Sequence, residues 1–159
     1  MRKQKITISV IGGHDSSKEV EELAYNVGVT VSQVGAITVC GGLNGVMEAV
    51  SKGAKEAGGI TIGILPGKSK ADANPYIDIA LPSSFGFARN AMVACSADII
   101  IALPGSHGTS CEISYGLVYG RPIIDLGDWN RPEMIKVDGL PQARQKIEEL
   151  IGELNKTES

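Results

Sequence analysis

The sequence predicts an α/β fold, a single doubly wound parallel sheet of the Rossmann-like type with helices on both faces. Short apolar segments rich in Ile and Val alternate along the chain with longer segments of helical periodicity. The strand segments are apolar at nearly every position, which is typical of strands buried on both faces of a parallel sheet. Three of them end in pairs of small residues, as tight strand-to-helix turns do: Gly12-Gly13, Gly41-Gly42 and Gly105-Ser106.

Length, charge and cysteine content narrow the class of protein. A chain of 159 residues predicts one domain over 1–159, with a core that buries most of its apolar surface. The net charge of −3 and the isoelectric point near 5.4 argue against nucleic acid as a partner, which requires a basic face. Three cysteines without CxxC spacing indicate reduced, mostly buried residues of an intracellular protein. The sequence shows no leader-like segment and no apolar run of transmembrane length, so we expect a cytoplasmic protein without a membrane partner.

In the first half of the chain, each apolar strand segment is followed by a segment of helical period. Ser16 or Ser17 can cap the first helix, whose Val and Leu residues recur on one face. Gly58-Gly59 follows the second helix, as glycine commonly follows a helix C-terminus. The predicted elements are a strand over 6–11, a helix over 18–34, a strand over 36–40, a helix over 44–57 and a strand over 60–65.

The second half repeats this alternation after a polar segment. Segment 68–76 is rich in breaker residues and predicts a surface loop. Segment 85–97 has helical period, with Ala88, Met92 and Cys95 spaced to face the core. The remaining predicted elements are strands over 77–81, 99–103 and 123–126, helices over 109–119 and 142–154, and an irregular stretch over 127–139.

The loops that follow the strands are expected to form a ligand site. The carboxyl ends of parallel strands meet at one edge of the sheet, where doubly wound folds bind ligands near the switch point of the strand order. Glycine at 41 and 42 lets the backbone approach a bound group closely. Asn44 either caps the following helix or hydrogen-bonds a ligand, and His14 lies at the same loop edge directly after Gly13.

The most informative segment is 101–113, Ile-Ala-Leu-Pro-Gly-Ser-His-Gly-Thr-Ser-Cys-Glu-Ile. An apolar strand runs into a turn of small residues, and a helical pattern opens at Thr109. Such a turn aims free backbone N–H groups and the positive end of the helix dipole at the space above the strand, which suits an anion, most often a phosphate. Glu112 has capping-box spacing to Thr109, so its carboxylate either caps the helix or faces a ligand.

Arg89 lies within the small, apolar helical segment 85–97. An arginine in the first turns of a helix that starts at the loop edge can clamp a phosphate through two parallel hydrogen bonds, or it can form an ion pair at the surface. Asn90 either assists Arg89 or is a solvated neighbour. Asp125 and Asp128, which follow the last strand, either border the pocket or are solvated.

Several familiar kinds of site are missing from the sequence. His14 and His107 have no partner at metal-ligand spacing, so no metal held by protein ligands is expected. There is no GxSxG, no GxxxxGK[ST], and no GxGxxG after the first strand. These absences argue against a hydrolase nucleophile elbow, a P-loop and the usual dinucleotide site.

The segment Pro104-Gly-Ser-His-Gly-Thr-Ser-Cys-Glu112 resembles the PGGxGTxxE motif of the LONELY GUY superfamily. This superfamily includes cytokinin-activating phosphoribohydrolases and proteins once misannotated as lysine decarboxylases. The resemblance continues through Gly-Gly-Leu-Asn-Gly-Val-Met-Glu-Ala-Val at 41–50 and Ala-Gly-Gly-Ile-Thr-Ile-Gly-Ile-Leu-Pro at 57–66, and it covers residues 6–126.

Two branches of this superfamily imply different functions. The phosphoribohydrolase branch implies cleavage of the N-glycosidic bond of a nucleoside 5′-monophosphate, with Arg89 orienting the phosphoribose and Glu112 stabilising the oxocarbenium charge or activating water. This chain carries Asn90, Ser106 and Cys111 where that branch has Lys, Gly and an acid. Segments 54–67 and 85–91 are instead similar to the short branch that includes the molybdenum cofactor carrier proteins. That resemblance implies the holding of a pyranopterin phosphate without turnover.

The sequence therefore predicts a non-catalytic carrier of a phosphorylated heterocycle that stores and protects molybdenum cofactor. The alternative is a nucleoside 5′-monophosphate phosphoribohydrolase, in which Arg89 and Glu112 are catalytic. The expected partners are the small phosphorylated ligand, with molybdenum cofactor as the bound molecule, and further copies of the chain in a dimer or tetramer. The expected ligand-binding residues are Gly12, Gly13, His14, Gly41, Gly42, Asn44, Gly45, Arg89, Asn90, Pro104, Gly105, Ser106, His107, Gly108, Thr109 and Glu112.

Overall fold

The β-branched segments form a seven-stranded sheet, fully parallel, in a computed structural model that describes residues 4–157. Five α-helices connect or follow the strands, and short 3-10 turns occur at Lys70–Asp72 and Gly86–Ala88. The strands are β1 (Thr7–Ile11), β2 (Ile37–Cys40), β3 (Thr61–Leu65), β4 (Ile79–Pro82), β5 (Ile99–Ala102), β6 (Ile123–Asp125) and β7 (Ile135–Lys136). The helices are α1 (Lys18–Gln33), α2 (Val46–Glu56), α3 (Arg89–Cys95), α4 (His107–Val118) and α5 (Leu140–Thr157).

The strand order is β4-β3-β2-β1-β5-β6-β7. The chain proceeds outward from β1 in one direction and then returns to continue from β5 in the other, so the switch point lies between β1 and β5. Their register pairs Ile8 with Ile99 and Ile11 with Ala102, which brings the loops after both strands side by side. The predicted Rossmann-like, doubly wound fold is confirmed.

Two apolar clusters cover the two faces of the sheet. On the first face, α1, α2 and α5 pack against residues such as Ile8, Val10 and Ile101. On the second face, α3 and α4 pack against Ile100 and Ile123. Strand positions alternate between these clusters, so β1 and β5 are buried on both sides, as their continuous apolar runs predict.

The predicted elements are confirmed, with differences in the second half. The stretch 127–139 contains β7, which forms the edge of the sheet and is too short to give a periodic signal. Segment 85–97 is a 3-10 turn followed by the seven-residue α3, and not one continuous helix. None of the helices in the described range is long and apolar enough to cross a membrane.

The face that α3 presents to the sheet also differs from the prediction. Met92 was expected in the core but is 39% exposed, whereas Val93 and Ala94 are completely buried. Because α3 begins only at Arg89, its orientation is set by the preceding turn and by the packing of Val93 and Ala94 on the sheet. The spacing of three small or apolar residues was too weak a signal to fix which side of so short a helix faces inward.

Candidate functional site

The loop after β5 presents unpaired backbone donors at the switch point. Within residues 4–157, the backbone N–H groups from Gly105 to Thr109 have no hydrogen-bond acceptor in the protein. The first helical bond of α4 runs from Ser110 N–H to the Ser106 carbonyl oxygen, at 3.0 Å. The loop therefore has the free donors and the helix dipole that an anion requires.

The helix begins two residues earlier than Thr109, which makes the capping-box interpretation wrong. Ser106 is the N-cap residue and its side chain makes no capping bond. Thr109 lies within the first turn and is buried, and Glu112 is buried one turn further on with 7% exposure. Glu112 is therefore a buried acid on the inner side of α4. A short Gly-Ser-His-Gly stretch has no periodicity from which this helix start could be read.

The loops after β1 and β5 are tied together and enclose a cavity. The Gly13 N–H donates to the Pro104 carbonyl oxygen at 3.0 Å. A cavity of about 270 Å³ lies beside this bond, on the side of α1. Its lining combines both loops with the start of α1: Gly13, His14, Asp15, Ser16, Ser17, Val20, Pro104, Gly105 and Ser106.

The loop after β2 supports this edge of the sheet. The N–H of Val46 donates to the Gly13 carbonyl oxygen at 3.0 Å, so the start of α2 is capped by the first loop and is less available to an anion than predicted. The helix begins at Val46 behind Gly45, so Asn44 does not cap it. The exposed Asn44 makes no side-chain hydrogen bond within the described part of the chain, which leaves it free at the rim.

Asn74 holds the same loop in place and was missed by the sequence analysis. It lies in the segment predicted to be a surface loop, yet it is buried with 7% exposure. Its backbone N–H donates to the Gly42 carbonyl oxygen and its side-chain amide donates to the Leu43 carbonyl oxygen, both at 2.9 Å. A buried Asn between polar, breaker-rich neighbours gives no pattern that sequence reasoning could have used.

Arg89 is buried beneath the loops, and the protein itself engages its guanidinium. The Nε–H donates to the Ile64 carbonyl oxygen at 3.0 Å, and the adjacent Asn90 side chain accepts from Nη1. Nη2 lies 3.5 Å from the carbonyl oxygen of Gly41, at the limit of a hydrogen bond. A Cβ at Gly41 would lie 2.8 Å from Nη2, so this glycine makes room for the guanidinium. Arg89 therefore joins α3 to the carboxyl ends of β2 and β3.

The charges of Glu112 and Arg89 affect each other's pKa, but the two side chains do not form a salt bridge. Within the described residues, Glu112 accepts no hydrogen bond, and no Arg89 nitrogen lies within 4.0 Å of its carboxylate. Burial raises the pKa of Glu112 to about 8, although the positive charge of Arg89 acts to lower it. A pKa in this range favours the protonated carboxyl at neutral pH, and a protonated carboxyl can donate a hydrogen bond and carries no negative charge.

The loop after β6 is a structural clamp at the same edge. The Asp125 carboxylate accepts hydrogen bonds from the backbone N–H groups of Gly127, Trp129 and Asn130, at 2.9, 3.2 and 2.9 Å. The indole N–H of Trp129 donates to the Leu103 carbonyl oxygen at 3.0 Å, two residues before the loop of free N–H groups at 105–109, which we call the anion loop. Asp125 therefore positions a loop and does not border the cavity, and Trp129 is a neighbour of the site that the sequence analysis did not identify.

Nine of the predicted ligand-binding residues fall into two groups. Gly13, His14, Pro104, Gly105 and Ser106 line the cavity, whereas Arg89, Asn90, Thr109 and Glu112 lie buried toward α3 and α4 and do not line it. Gly108 lies beside the buried group, because the Asn90 amide nitrogen is 3.3 Å from the position that a Cβ at Gly108 would take. The other predicted residues are the exposed His107 and Asn44 and the glycines Gly12, Gly41, Gly42 and Gly45, at each of which a Cβ would be crowded by atoms of a neighbouring segment.

The three cysteines differ in their exposure to solvent. Cys40 is buried, which raises the pKa of its thiol, whereas Cys111 is exposed on α4, contrary to the expectation of mostly buried cysteines. Over residues 4–157, no group of three or more His, Cys, Asp or Glu side chains could hold a metal ion.

The chain is a doubly wound α/β protein with a loop of free backbone N–H groups at the switch point of its sheet. The sequence profile of the SLOG cluster4 family matches residues 5–152, and the chain belongs to that family. An uncharacterised protein of Archaeoglobus fulgidus is 40% identical over 119 residues, which cover 75% of this chain and 78% of the relative.

Two solved structures extend the comparison. The molybdenum cofactor binding protein of the phototrophic bacterium Rippkaea orientalis is 31% identical, with a TM-score of 0.76 over 97% of both chains. The molybdenum cofactor carrier protein of Chlamydomonas reinhardtii is 28% identical, with a TM-score of 0.85 over 94% of this chain and 99% of that one. The predicted likeness to the carrier branch is confirmed.

Proposed function

We propose that this protein binds a phosphorylated heterocycle at the switch point of its sheet and serves as a carrier of molybdenum cofactor. The observation that carries the proposal is the run of unpaired backbone N–H groups from Gly105 to Thr109 at the start of the twelve-residue α4. The phosphate binds there, and the heterocycle extends into the adjoining cavity. The similarity to the Rippkaea orientalis and Chlamydomonas reinhardtii proteins supports molybdenum cofactor as the cargo.

The chemistry of the site suits an anionic cargo. The loop offers backbone donors to a phosphate. The raised pKa of Glu112 favours its uncharged form near pH 7, so this side chain repels the phosphate only weakly. Asp15 lines the cavity and is exposed, which places one acid at its open side. The cavity of about 270 Å³ is slightly smaller than the usual range of small-molecule sites, about 300–1,000 Å³.

A second function is favoured by one observation, the buried and protonated Glu112 near Arg89. A carboxyl with a raised pKa is what a general acid in glycosidic-bond cleavage requires. In that function the chain is a nucleoside 5′-monophosphate phosphoribohydrolase. Against it, Arg89 already bonds to Ile64 and Asn90, and both Arg89 and Glu112 lie outside the cavity.

The anion loop can be tested at His107, the first residue of α4. His107→Pro removes one free N–H at a helix position that proline tolerates, whereas His107→Ala removes the imidazole and keeps the N–H. We expect His107→Pro to weaken the binding of AMP by about 10- to 100-fold, the range for one hydrogen bond to a charged group, and His107→Ala to have a smaller effect. Isothermal titration calorimetry measures both, and equal affinity of the two variants would contradict a role for this N–H.

The choice between carrier and hydrolase requires a separate experiment. We expect natively purified protein to contain molybdenum cofactor, detectable by mass spectrometry and metal analysis, at one molecule per chain when saturated. We also expect it to release no adenine from AMP during long incubation. Steady release of adenine by the wild type, lost in Glu112→Gln while AMP still binds, would establish the hydrolase instead.

A further inference from the structure

A second cavity lies between α1 and α2, and the proposed carrier function does not use it. Its volume is about 380 Å³, which falls within the usual range of small-molecule sites, about 300–1,000 Å³. It shares no lining residue with the cavity beside the anion loop. We call it the α1–α2 cavity. Its wall includes two aromatic rings, two carboxylates and one ammonium, from Tyr25, Tyr76, Glu21, Glu48 and Lys52.

The two tyrosines of this cavity are held in place by the rest of the protein. The backbone N–H of Tyr76 donates to the Asn74 side-chain oxygen at 3.1 Å, and the Tyr76 carbonyl oxygen accepts from the Thr61 hydroxyl at 2.6 Å. The hydroxyl of Tyr25 donates to the carboxylate of Glu56 on α2. Both tyrosines are therefore positioned before a ligand binds, which lowers the ordering cost of binding.

The charged groups of the α1–α2 cavity do not neutralise one another. Glu48 and Lys52 have the i, i+4 spacing at which such pairs form on helices, yet within the described residues no salt bridge joins them. The Lys52 ammonium instead lies 6.0 Å from the centre of the Tyr76 ring, at the outer limit of a cation–π contact. The half-buried Glu48 side chain accepts no hydrogen bond in the described chain, and Glu21 accepts one from the Ser16 hydroxyl at 3.2 Å. The cavity therefore offers two carboxylates and one ammonium to a ligand.

We propose that the α1–α2 cavity binds a free basic amino acid, with arginine preferred to lysine. Near pH 7 such a molecule carries two positive groups and one carboxylate, which complement the two carboxylates and one ammonium of the cavity. The ligand carboxylate binds Lys52, and its two positive groups bind Glu21 and Glu48. Arginine is preferred because a guanidinium forms two parallel bonds with a carboxylate and stacks on aromatic rings, whereas the ammonium of lysine is a point charge. The same two acids disfavour a phosphorylated ligand, so this site is distinct from that of the proposed cargo.

The first part of the test varies the ligand against the wild-type protein. Citrulline has a neutral urea group in place of the guanidinium, and agmatine lacks the carboxylate. Nα-acetylarginine amide has neither charged terminus and represents an arginine within a protein chain. By isothermal titration calorimetry, we expect saturable one-to-one binding of arginine, weaker binding of lysine, and at least about tenfold weaker binding of the three analogues, since each lacks a charged hydrogen-bonding group. Tight binding of the acetylated amide would overturn the proposal of a free amino acid in favour of a protein partner.

The second part of the test varies the protein. We expect Glu48→Gln to weaken arginine binding at least about tenfold, and Lys52→Gln to weaken arginine binding without weakening agmatine binding, because agmatine has no carboxylate. Glu22→Gln is the matched control, because Glu22 is exposed on α1 and does not line the cavity, and it should bind arginine as the wild type does. Circular dichroism confirms that each variant is folded.

Two results would overturn the proposal. One is the absence of saturable arginine binding to the wild type at concentrations up to about 10 mM. The other is equal arginine affinity of the wild type, Glu48→Gln and Lys52→Gln, because arginine would then bind at another place on the protein.

Discussion

At the scale of single residues, Glu112 shows how strongly position changes chemistry. Burial on the inner side of α4, without a hydrogen bond in the described chain, raises its pKa to about 8. Between pH 4.5 and pH 8 the folded protein therefore holds a proton that the unfolded chain releases. Since the folded state binds more protons over this range, the free energy of unfolding falls as the pH rises.

We predict that Glu112→Gln removes this pH dependence. Gln has nearly the same shape and does not ionise, so the variant should be more stable than the wild type above pH 8 by a few kcal/mol, roughly the cost of a shift of this size, and similar to it near pH 5. Urea unfolding between pH 5 and pH 9 at one protein concentration measures the difference. The exposed Glu133→Gln is the control. Parallel pH profiles for the wild type and Glu112→Gln would show that the carboxyl is ionised at neutral pH.

The residue scale also decides which substitutions can test the site. A Cβ at Gly105 would collide with the Thr109 hydroxyl and lie 3.0 Å from the Gly13 nitrogen, so Gly105→Val alters the fold as well as the anion loop. Arg89→Ala removes bonds that join α3 to β3, so a loss of binding would have two explanations. The first position of α4 avoids both difficulties, which is why His107 is the better choice.

At the scale of elements, α1 and α2 cross at two glycines. A Cβ at Gly28 would collide with the Val50 carbonyl oxygen and lie 2.8 Å from the Ala54 nitrogen, and a Cβ at Gly53 would collide with the Tyr25 carbonyl oxygen. The two backbones therefore approach more closely than any side chain allows. In the sequence, Gly28 only weakens a predicted helix. The structure explains its presence in α1, because the backbone of α2 occupies the space that a side chain would need.

We predict that Gly28→Ala destabilises the protein although alanine is the better helix former. Overpacking of about 1–3 kcal/mol should outweigh the gain of up to 1 kcal/mol in helix propensity. Gly152→Ala is the matched control, because nothing from outside its own helix lies within 4 Å of that Cβ in α5, and it should be neutral or stabilising. Urea unfolding of both variants measures the contrast. Equal stability of the two would contradict the close crossing.

The loop from Gly127 to Arg131 shows a different kind of element-scale constraint. Asp125 accepts three backbone hydrogen bonds and thereby fixes a loop with no regular structure. Through this loop, the indole of Trp129 reaches the carbonyl oxygen of Leu103 at the end of β5. Asp125, for which the sequence left a pocket-bordering and a solvated position open, therefore stabilises the edge of the sheet that carries the loop after β5.

At the scale of the whole molecule, the dimer or tetramer that the sequence predicts would link stability to concentration. The exposed side chains of Phe85, Phe87, Val118 and Tyr119 leave an apolar surface on and beside α3 and α4. If folding and association are coupled through that surface, mass action favours the folded oligomer as concentration rises. We predict that the thermal midpoint of the wild type increases when the protein concentration is raised a hundredfold, and that the midpoint of Phe87→Glu does not. Scanning calorimetry or circular dichroism measures both, and a wild-type midpoint independent of concentration would contradict the coupling.

The sequence by itself determined the alternation of strands and helices, the parallel sheet and the edge at which its loops meet. These follow from local signals, because periodicity and small-residue turns belong to neighbouring residues. It also predicted a turn of small residues after β5 and a cap of the first helix at Ser16 or Ser17, of which Ser17 accepts from the Val20 N–H. The sequence did not predict the two-residue β7 or the start of α4 at His107, since neither segment has enough residues to show a period.

Only the tertiary structure decided where the candidate site residues lie and what they contact. The sequence allowed Glu112 either to cap a helix or to face a ligand. It allowed Arg89 either to bind a phosphate or to form an ion pair at the surface. In the folded protein, burial raises the pKa of Glu112, and Arg89 donates hydrogen bonds to Ile64 and Asn90. It also left Phe87 and Val118 in solvent. Burial depends on which distant segments pack together, and that information is spread over the whole chain, so no local pattern could supply it.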